Sequence, residues 1–321
     1  MPSSLKRQRE TKYTYGPVPS RRLGLSLGID IIPHKTCSFD CIYCQLGRTI
    51  NKTLLRKEYT PVEPILDELR FVLKNAKHID YLTFSGSGEP TLHQCIGYLI
   101  SELKKMTDIS VAILTNGSLL SMPGVRKDLK NADLVIPTLC SVDQETFARI
   151  HRGHASLSID QIIEGCVKFR ATFTGKIWLE LMLIRGINDT PMQIAKIKTV
   201  IDRIMPDKIH LNTVVRPPSE EYARPVSLKT LQGIKKILGA KCEIIAEFKS
   251  SAAKMQDTEL LMEILAIVKR RPITLYELAQ ITESHENEII KSIDILLKQG
   301  KIGISRYGQK DYYRIQRGSG D

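Results

Sequence analysis

Three thiols stand within the stretch CSFDCIYC: Cys37, Cys41 and Cys44. Thiols that close together can hold one metal centre, and their spacing narrows which one. Structural zinc is usually bound by two pairs of Cys or Cys/His, and no second pair lies nearby. An iron–sulfur cluster is normally held by four thiolates, so three would leave one iron for a ligand from outside the chain. The seven cysteines are an odd number in a chain without a secretory signal, which argues against a disulfide framework and for reduced thiols. Cys95, Cys166 and Cys242 have no ligand spacing and read as small buried hydrophobes.

The surroundings of the three thiols are basic. The net charge is +12, and residues 1–57 carry eleven Lys and Arg against three Asp and Glu, a local balance of +8. Lys6, Arg7, Arg9 and Lys12 read as a solvated basic tail over residues 1–16, whereas Arg21, Arg22, Lys35, Arg48, Lys52, Arg56 and Lys57 bracket the cysteine loop. A positive field at that place suggests an anionic substrate such as nucleic acid. No apolar run approaches the roughly 18 residues that span a bilayer, and MPSSLKRQRE lacks the apolar core of a signal peptide. A cytoplasmic protein with no membrane partner is expected.

The elements that must position the thiols can be read from periodicity. GLSLGIDIIP predicts a first strand from about Gly24 to Ile32, directly before the cysteine loop. Ile65, Leu66, Leu69, Val72 and Leu73 recur at helical spacing, and IDYLTF then reads as a buried strand that ends in SGSGEP. The alternation goes on through VAILTNGS, LVIPTL, IWLELMLI, KIHLNTVV and CEIIAE, with helices between them. Strands alternating with helices imply right-handed crossovers and a mostly parallel sheet. Six or seven units are too few for a closed eight-fold barrel, so an α/β fold forming an open, partial (β/α)6 TIM-like barrel over residues 17–248 is expected. The cysteine loop, SGSGEP, TNGS, TLCS and NTVVRPP each follow an apolar strand, and loops at the carboxyl ends of parallel strands share one rim.

These motifs together carry a resemblance. CSFDCIYC after the first strand, with an aromatic residue before its last cysteine, and SGSGEP after the second resemble the radical S-adenosylmethionine (SAM) superfamily. More narrowly, YGPVPSRRLGLSLGIDIIP, FSGSGEPTLH, TNGSLL and LNTVVRPP are similar to Fe–S oxidoreductases allied to the wyosine-tRNA synthases. The resemblance implies that Cys37, Cys41 and Cys44 ligate three irons of a 4Fe-4S cluster and that SAM binds the fourth iron. Tyr43 would pack beside the adenine, and Gly86, Ser87, Gly88 and Glu89 would receive the methionine amino group. Glu89 could instead cap the helix that follows it. Asn116 would bond the SAM carboxylate or simply serve a turn. Where relatives present Ser and Asp to the ribose, this chain has Thr138 and Cys140, with Asp143 further on. Glu180 and Asn212 are expected to point into the barrel, and Arg152 is a weaker candidate for the carboxylate. The chain has no cysteine before Cys37, so the second cluster of the wyosine synthases is missing.

Beyond a linker at residues 249–256, residues 257–321 predict three helices (Thr258 to Arg270, Thr274 to Ile281, Glu286 to Gln299) and a hairpin turning at Tyr307-Gly308-Gln309, hence a winged-helix domain. This segment has ten Lys and Arg against ten Asp and Glu, and its third helix carries Glu286, Glu288 and Asp294 against Lys291 and Lys298. A helix without a net positive face argues against reading DNA in the major groove. Only the wing, with Arg306, Lys310, Arg314 and Arg317, could meet a phosphate backbone. The leading expectation is a radical SAM enzyme acting on RNA, most simply tRNA, and served by an external electron donor. The competing readings are a radical enzyme for a protein or small molecule that docks through the winged helix, and an Fe–S sensing regulator.

Overall fold

A computed structural model describes residues 12–75, 78–246, 258–282, 284–307 and 310–316. Lys6, Arg7, Arg9, the linker at 249–256, Gly308, Gln309 and Arg317 lie outside the described residues. The chain divides into two compact units, Pro17–Gln256 and a smaller one formed by Met1–Gly16 with Asp257–Asp321.

The large unit holds an eight-stranded sheet in the order β1 (Thr14–Ser20), β2 (Gly24–Ile29), β5 (Tyr81–Phe84), β6 (Ser110–Thr115), β7 (Leu134–Leu139), β8 (Lys176–Leu183), β9 (Lys208–Thr213) and β10 (Cys242–Ile244). Every pairing from β2 to β10 is parallel. The crossovers are α1 (Val62–Asn75), α2 (Ile96–Met106), α3 (Pro123–Asp128), α4 (Gln144–His151), α5 (Ile159–Thr172), α6 (Pro191–Ile204) and α7 (Leu228–Leu238). A small parallel pair, β3 (Thr36–Cys37) with β4 (Asn51–Lys52), sits inside the cysteine loop. Because the strands run the same way, the loops after β2, β5, β6, β7 and β9 share one rim, as the sequence predicts.

The sheet is curled. β2 and β9 are separated by four other strands, yet Arg21, in the turn before β2, donates to Asn212 Oδ1 on β9 and to the carbonyl of Ile245 (both 3.3 Å). Arg22 pairs with Glu180 of β8 at 3.0 Å. Such reach is possible only if the two ends of the sheet face each other across its concave side. On β8 the concave-face residues form a ladder. Trp178 packs with Leu23, Ala112, Leu134 and Ile136 at one end, and Met182 packs beside Tyr43 and Cys140 at the other. Glu180 lies between them, buried.

Three expectations change in detail. The first strand stops at Ile29 rather than Ile32, because the Asp30 carboxylate turns to the backbone N–H and hydroxyl of Ser87 (2.9 and 2.6 Å) and draws the main chain out of the sheet. Residues 14–16, placed in the tail, are the start of β1. α4 was not foreseen; Asp143 starts it by accepting the Thr146 N–H at 2.8 Å, so that carboxylate serves as a helix cap.

The small unit packs α8 (Thr258–Arg270), α9 (Leu275–Ile281) and α10 (Glu286–Lys298) against the antiparallel pair β11 (Ile302–Tyr307) and β12 (Lys310–Ile315). Its core includes Ile264, Val268, Ile273, Leu278, Ile289, Ile293 and Tyr313. Thr274 and Glu277 form a reciprocal capping box at α9. Gly300, at φ +65, ends α10: its N–H meets Leu297 O and that of Lys301 meets Leu296 O, both at 3.0 Å, the Schellman pattern.

Candidate metal centre

The loop from Pro33 to Gly47 is held by its backbone. Lys35 N–H donates to Ser87 O (2.7 Å), Glu89 N–H to Thr36 O (3.1 Å) and Cys44 N–H to Cys41 O (3.1 Å). The cysteine loop and SGSGEP are therefore zipped together just before Cys37. Gly88 is the closest point of that seam. A Cβ there would overlap the Thr36 carbonyl oxygen and meet Ile32 Cγ2 at 2.5 Å, so only glycine allows the approach. Gly86, at φ +153, would drive a Cβ into the Asp30 carboxylate.

Each thiol has a polar side chain beside it, and Cys41 has two, His151 and the Tyr43 phenol. Asn116 Nδ2 lies 3.5 Å from Cys37 Sγ, His151 Nδ1 3.2 Å from Cys41 Sγ, and Lys35 Nζ 3.2 Å from Cys44 Sγ. Burial, and next the Glu89 carboxylate, push the Cys37 thiol up to about 12. Burial followed by Cys37 and Cys44 puts Cys41 well above its ordinary value. A metal would thus have to displace protons from at least these two thiols. Burial lowers Lys35, but Cys44 and then Cys37 and Cys41 raise it by more. Burial pulls His151 down to about 3 and keeps it neutral. Among the described residues no three His, Cys, Asp or Glu converge on a single metal ion. Three thiols, each with its own polar side chain beside it, fit separate irons of a larger cluster.

Glu89, 2% exposed, is fully occupied by protein donors. Oε1 accepts from Thr91 N–H (3.1 Å), Thr91 Oγ1 (2.6 Å) and Thr115 Oγ1 (2.7 Å), and Oε2 from Asn116 N–H (2.7 Å). It caps the short turn Pro90–Leu92 and ties it to the end of β6. Burial raises its pKa, against the pull of those hydrogen bonds. Asn116 also serves a turn, since its Oδ1 accepts the Ser118 N–H at 2.9 Å, while its Nδ2 donates to Ser38 Oγ at 2.8 Å. Tyr43 packs edge-on to His151, with centroids 6.0 Å apart, and burial holds its phenol well above its ordinary pKa. Ser87 is engaged by Asp30, and Thr138 is half-buried at the level of Glu180 on the neighbouring strand.

The family model of the Radical SAM superfamily matches residues 31–196, half of the chain, from just after β2 to α6. The chain belongs to the radical SAM superfamily. This family uses a 4Fe-4S cluster and S-adenosylmethionine, which agrees with the donor set at Cys37, Cys41 and Cys44. A UPF0026 protein of Methanocaldococcus jannaschii is 38% identical over 308 residues, covering 93% of this chain and 94% of that one. A Brachyspira hyodysenteriae protein named GTPase Obg is 40% identical over 300 residues; the match takes in 92% of this chain but only 44% of the relative. Among solved structures, a radical SAM methyltransferase from Sphaerobacter thermophilus superposes with TM-score 0.54 at 14% identity, covering 71% of this chain and 67% of that one, a likeness of fold.

Two sequence-predicted residues of this radical SAM chain lie below the rim. Glu180 accepts from Asn212 Nδ2 at 2.7 Å and pairs with Arg22; burial acts to raise its pKa, but Arg22 and Asn212 win and hold it low. His210, at the same level, is 1% exposed, has an unpartnered Nδ1 and is pulled down to about 4 by burial and then by Arg22. Arg152 is taken by Glu220 (2.9 Å) and Tyr222 (2.7 Å). Cys140 is buried against Tyr43, Cys166 and Cys242 are buried, and Cys95 is half-buried.

The basic bracket is mostly spent inside the fold. Arg22 pairs with Glu180, Arg48 with Asp40 and Glu220, and Arg56 with Asp128, while Lys52 bonds the Arg152 carbonyl. The +8 balance around the loop is therefore a weaker lure for phosphate than the sequence suggests. Residues that sequence reading missed are Asp30, His151 and Ser141, whose buried hydroxyl at the end of β7 has no partner. Lys35 was counted only as charge, although its place two residues before Cys37 was a signal.

Proposed function

We propose that the protein is a radical SAM enzyme whose substrate is RNA. The convergence of three separately supported thiols with the glycine seam carries the enzyme reading. Cys37, Cys41 and Cys44 would hold a 4Fe-4S cluster, which would supply the one-electron reduction of S-adenosylmethionine on which hydrogen abstraction from the substrate depends. The chain's own residues position and enclose. Gly86, Ser87 and Gly88 would receive the methionine amino group, with Glu89 fixing their shape from below. Tyr43 flanks the adenine, and Asn116 and Thr138 line the rim. Glu180, Asn212, Arg21 and Arg22 form a polar, hydrogen-bonded floor to a partial barrel. An external one-electron donor completes the set.

RNA is favoured by the small unit, read as a winged helix. The register of its wing puts Gly303 opposite Arg314, Ser305 opposite Tyr312 and Tyr307 opposite Lys310. These six share one face, and Tyr307 is 83% exposed. Two cations and two aromatics around small residues suit stacked bases and a phosphate backbone. α10 instead buries Ile289, Ile290 and Ile293 and carries acids in its first turn, which counts against a DNA-reading helix. Reconstituted, reduced protein should cleave SAM to 5′-deoxyadenosine, faster with the correct RNA. Absence of cleavage with an intact cluster refutes the enzyme reading. RNA binding that ignores salt and survives Lys310→Glu/Arg314→Glu refutes the nucleic-acid one.

A further inference from the structure

Asn116, His151 and Lys35 stand beside the thiols from three places in the chain, and only one brings a full charge. Asn116 is an amide and His151 a neutral imidazole, whereas Lys35 is an ammonium. Lys35 is 3% exposed and sits at φ +55, in the left-handed region where glycine or asparagine is the usual occupant. Its backbone is fully used: the N–H reaches Ser87 O, and the carbonyl accepts from Ile50 and Asn51 N–H, both at 3.1 Å. Glycine would serve that turn with less strain, so the turn does not explain the lysine. Its side chain does something specific. Its Nζ lies 3.2 Å from Cys44 Sγ, one of the three clustered thiols. A buried cation beside three sulfurs favours extra negative charge on whatever those sulfurs hold.

We propose that Lys35 is a positioning residue that raises the reduction potential of the cluster held by Cys37, Cys41 and Cys44. It acts through Cys44 and touches no substrate. Reduction adds one negative charge to the cluster, and the ammonium 3.2 Å from Cys44 Sγ stabilises the reduced form more than the oxidised one. The cluster then accepts its electron from a weaker donor than it otherwise could. This rests on the radical SAM reading and goes beyond it to one residue's share.

The test uses full-length wild type, Lys35→Met, Lys35→Gln and Lys35→Arg, each loaded anaerobically with iron and sulfide and assayed for bound iron. Midpoint potentials come from mediated titrations followed by electron paramagnetic resonance. The neutral variants should load iron as wild type does, yet show at least a tenfold lower reduced-to-oxidised ratio at a given potential, a shift of about 59 mV for one electron. Lys35→Arg should stay within about twofold of wild type, since it keeps the charge. Wild-type potentials in Met and Gln variants overturn the proposal, as does an equal shift in all three. If the neutral variants stay folded but hold no iron while Arg does, the charge holds the thiolates together and the tuning role is overturned. If wild type itself holds no cluster, the radical SAM reading falls first.

Discussion

Replacing Gly88 by alanine tests how the site is built. The added Cβ would overlap the Thr36 carbonyl oxygen and press on Ile32 Cγ2 at 2.5 Å, against the roughly 3.5 Å that non-bonded carbons prefer. The seam between SGSGEP and the cysteine loop must then open by about 1 Å, enough to break the Glu89-to-Thr36 and Lys35-to-Ser87 backbone bonds. Two lost hydrogen bonds at about 1 kcal/mol each, with about 1–3 kcal/mol of overpacking, give a destabilisation of about 3–5 kcal/mol. Thr36 precedes Cys37, so the same displacement moves a thiol of the candidate metal centre. The assay pairs urea unfolding of Gly88→Ala with iron bound after anaerobic reconstitution, and both should fall. Gly233→Ala is the control, because a Cβ there meets nothing within 4 Å in the interior of α7. A Gly88→Ala protein with wild-type stability and full iron would refute the account of the seam.

Gly233→Ala itself should raise stability by about 0.5–1 kcal/mol, read as a higher urea midpoint at constant slope. Arg22→Met should cost about 3–5 kcal/mol, since Glu180 would stay buried without its cation, and Arg22→Met/Glu180→Met should recover most of the loss; equal losses in single and double variants would show that the pair is not what matters. His210 supplies a pH signature. Its folded pKa of about 4 lies below the unfolded value near 6.5, so the unfolded chain takes the proton first. Its contribution is complete above pH 6.5 and lost as pH falls through 4, about 3 kcal/mol in all. Wild type should lose that much more than His210→Gln between pH 7 and pH 4 in urea unfolding, and parallel curves would contradict it.

Much of the large unit was legible because a buried parallel strand needs a continuous apolar run and its covering helix a 3.6-residue stripe. IDYLTF, IWLELMLI and KIHLNTVV announce themselves in this way. β1 was not legible, since TYGPVPS carries glycine and two prolines and no apolar run. The Thr274 cap and Gly300 stop were legible because capping chemistry is local.

The candidate site divides along the same line. Cys37, Cys41 and Cys44 are close in sequence, so their spacing alone marked one loop as the candidate metal centre, and the glycines of SGSGEP marked where backbone approaches backbone. Only the tertiary structure decided what supports them. Asn116 and His151 reach their thiols across 79 and 110 residues, and Arg22 reaches Glu180 from the far side of a curled sheet. Local periodicity records which face of an element is buried, but not which distant side chain will meet it there. For the same reason the sequence counted positive charges around the loop, while the fold decided that most of them are spent on carboxylates and carbonyls within it.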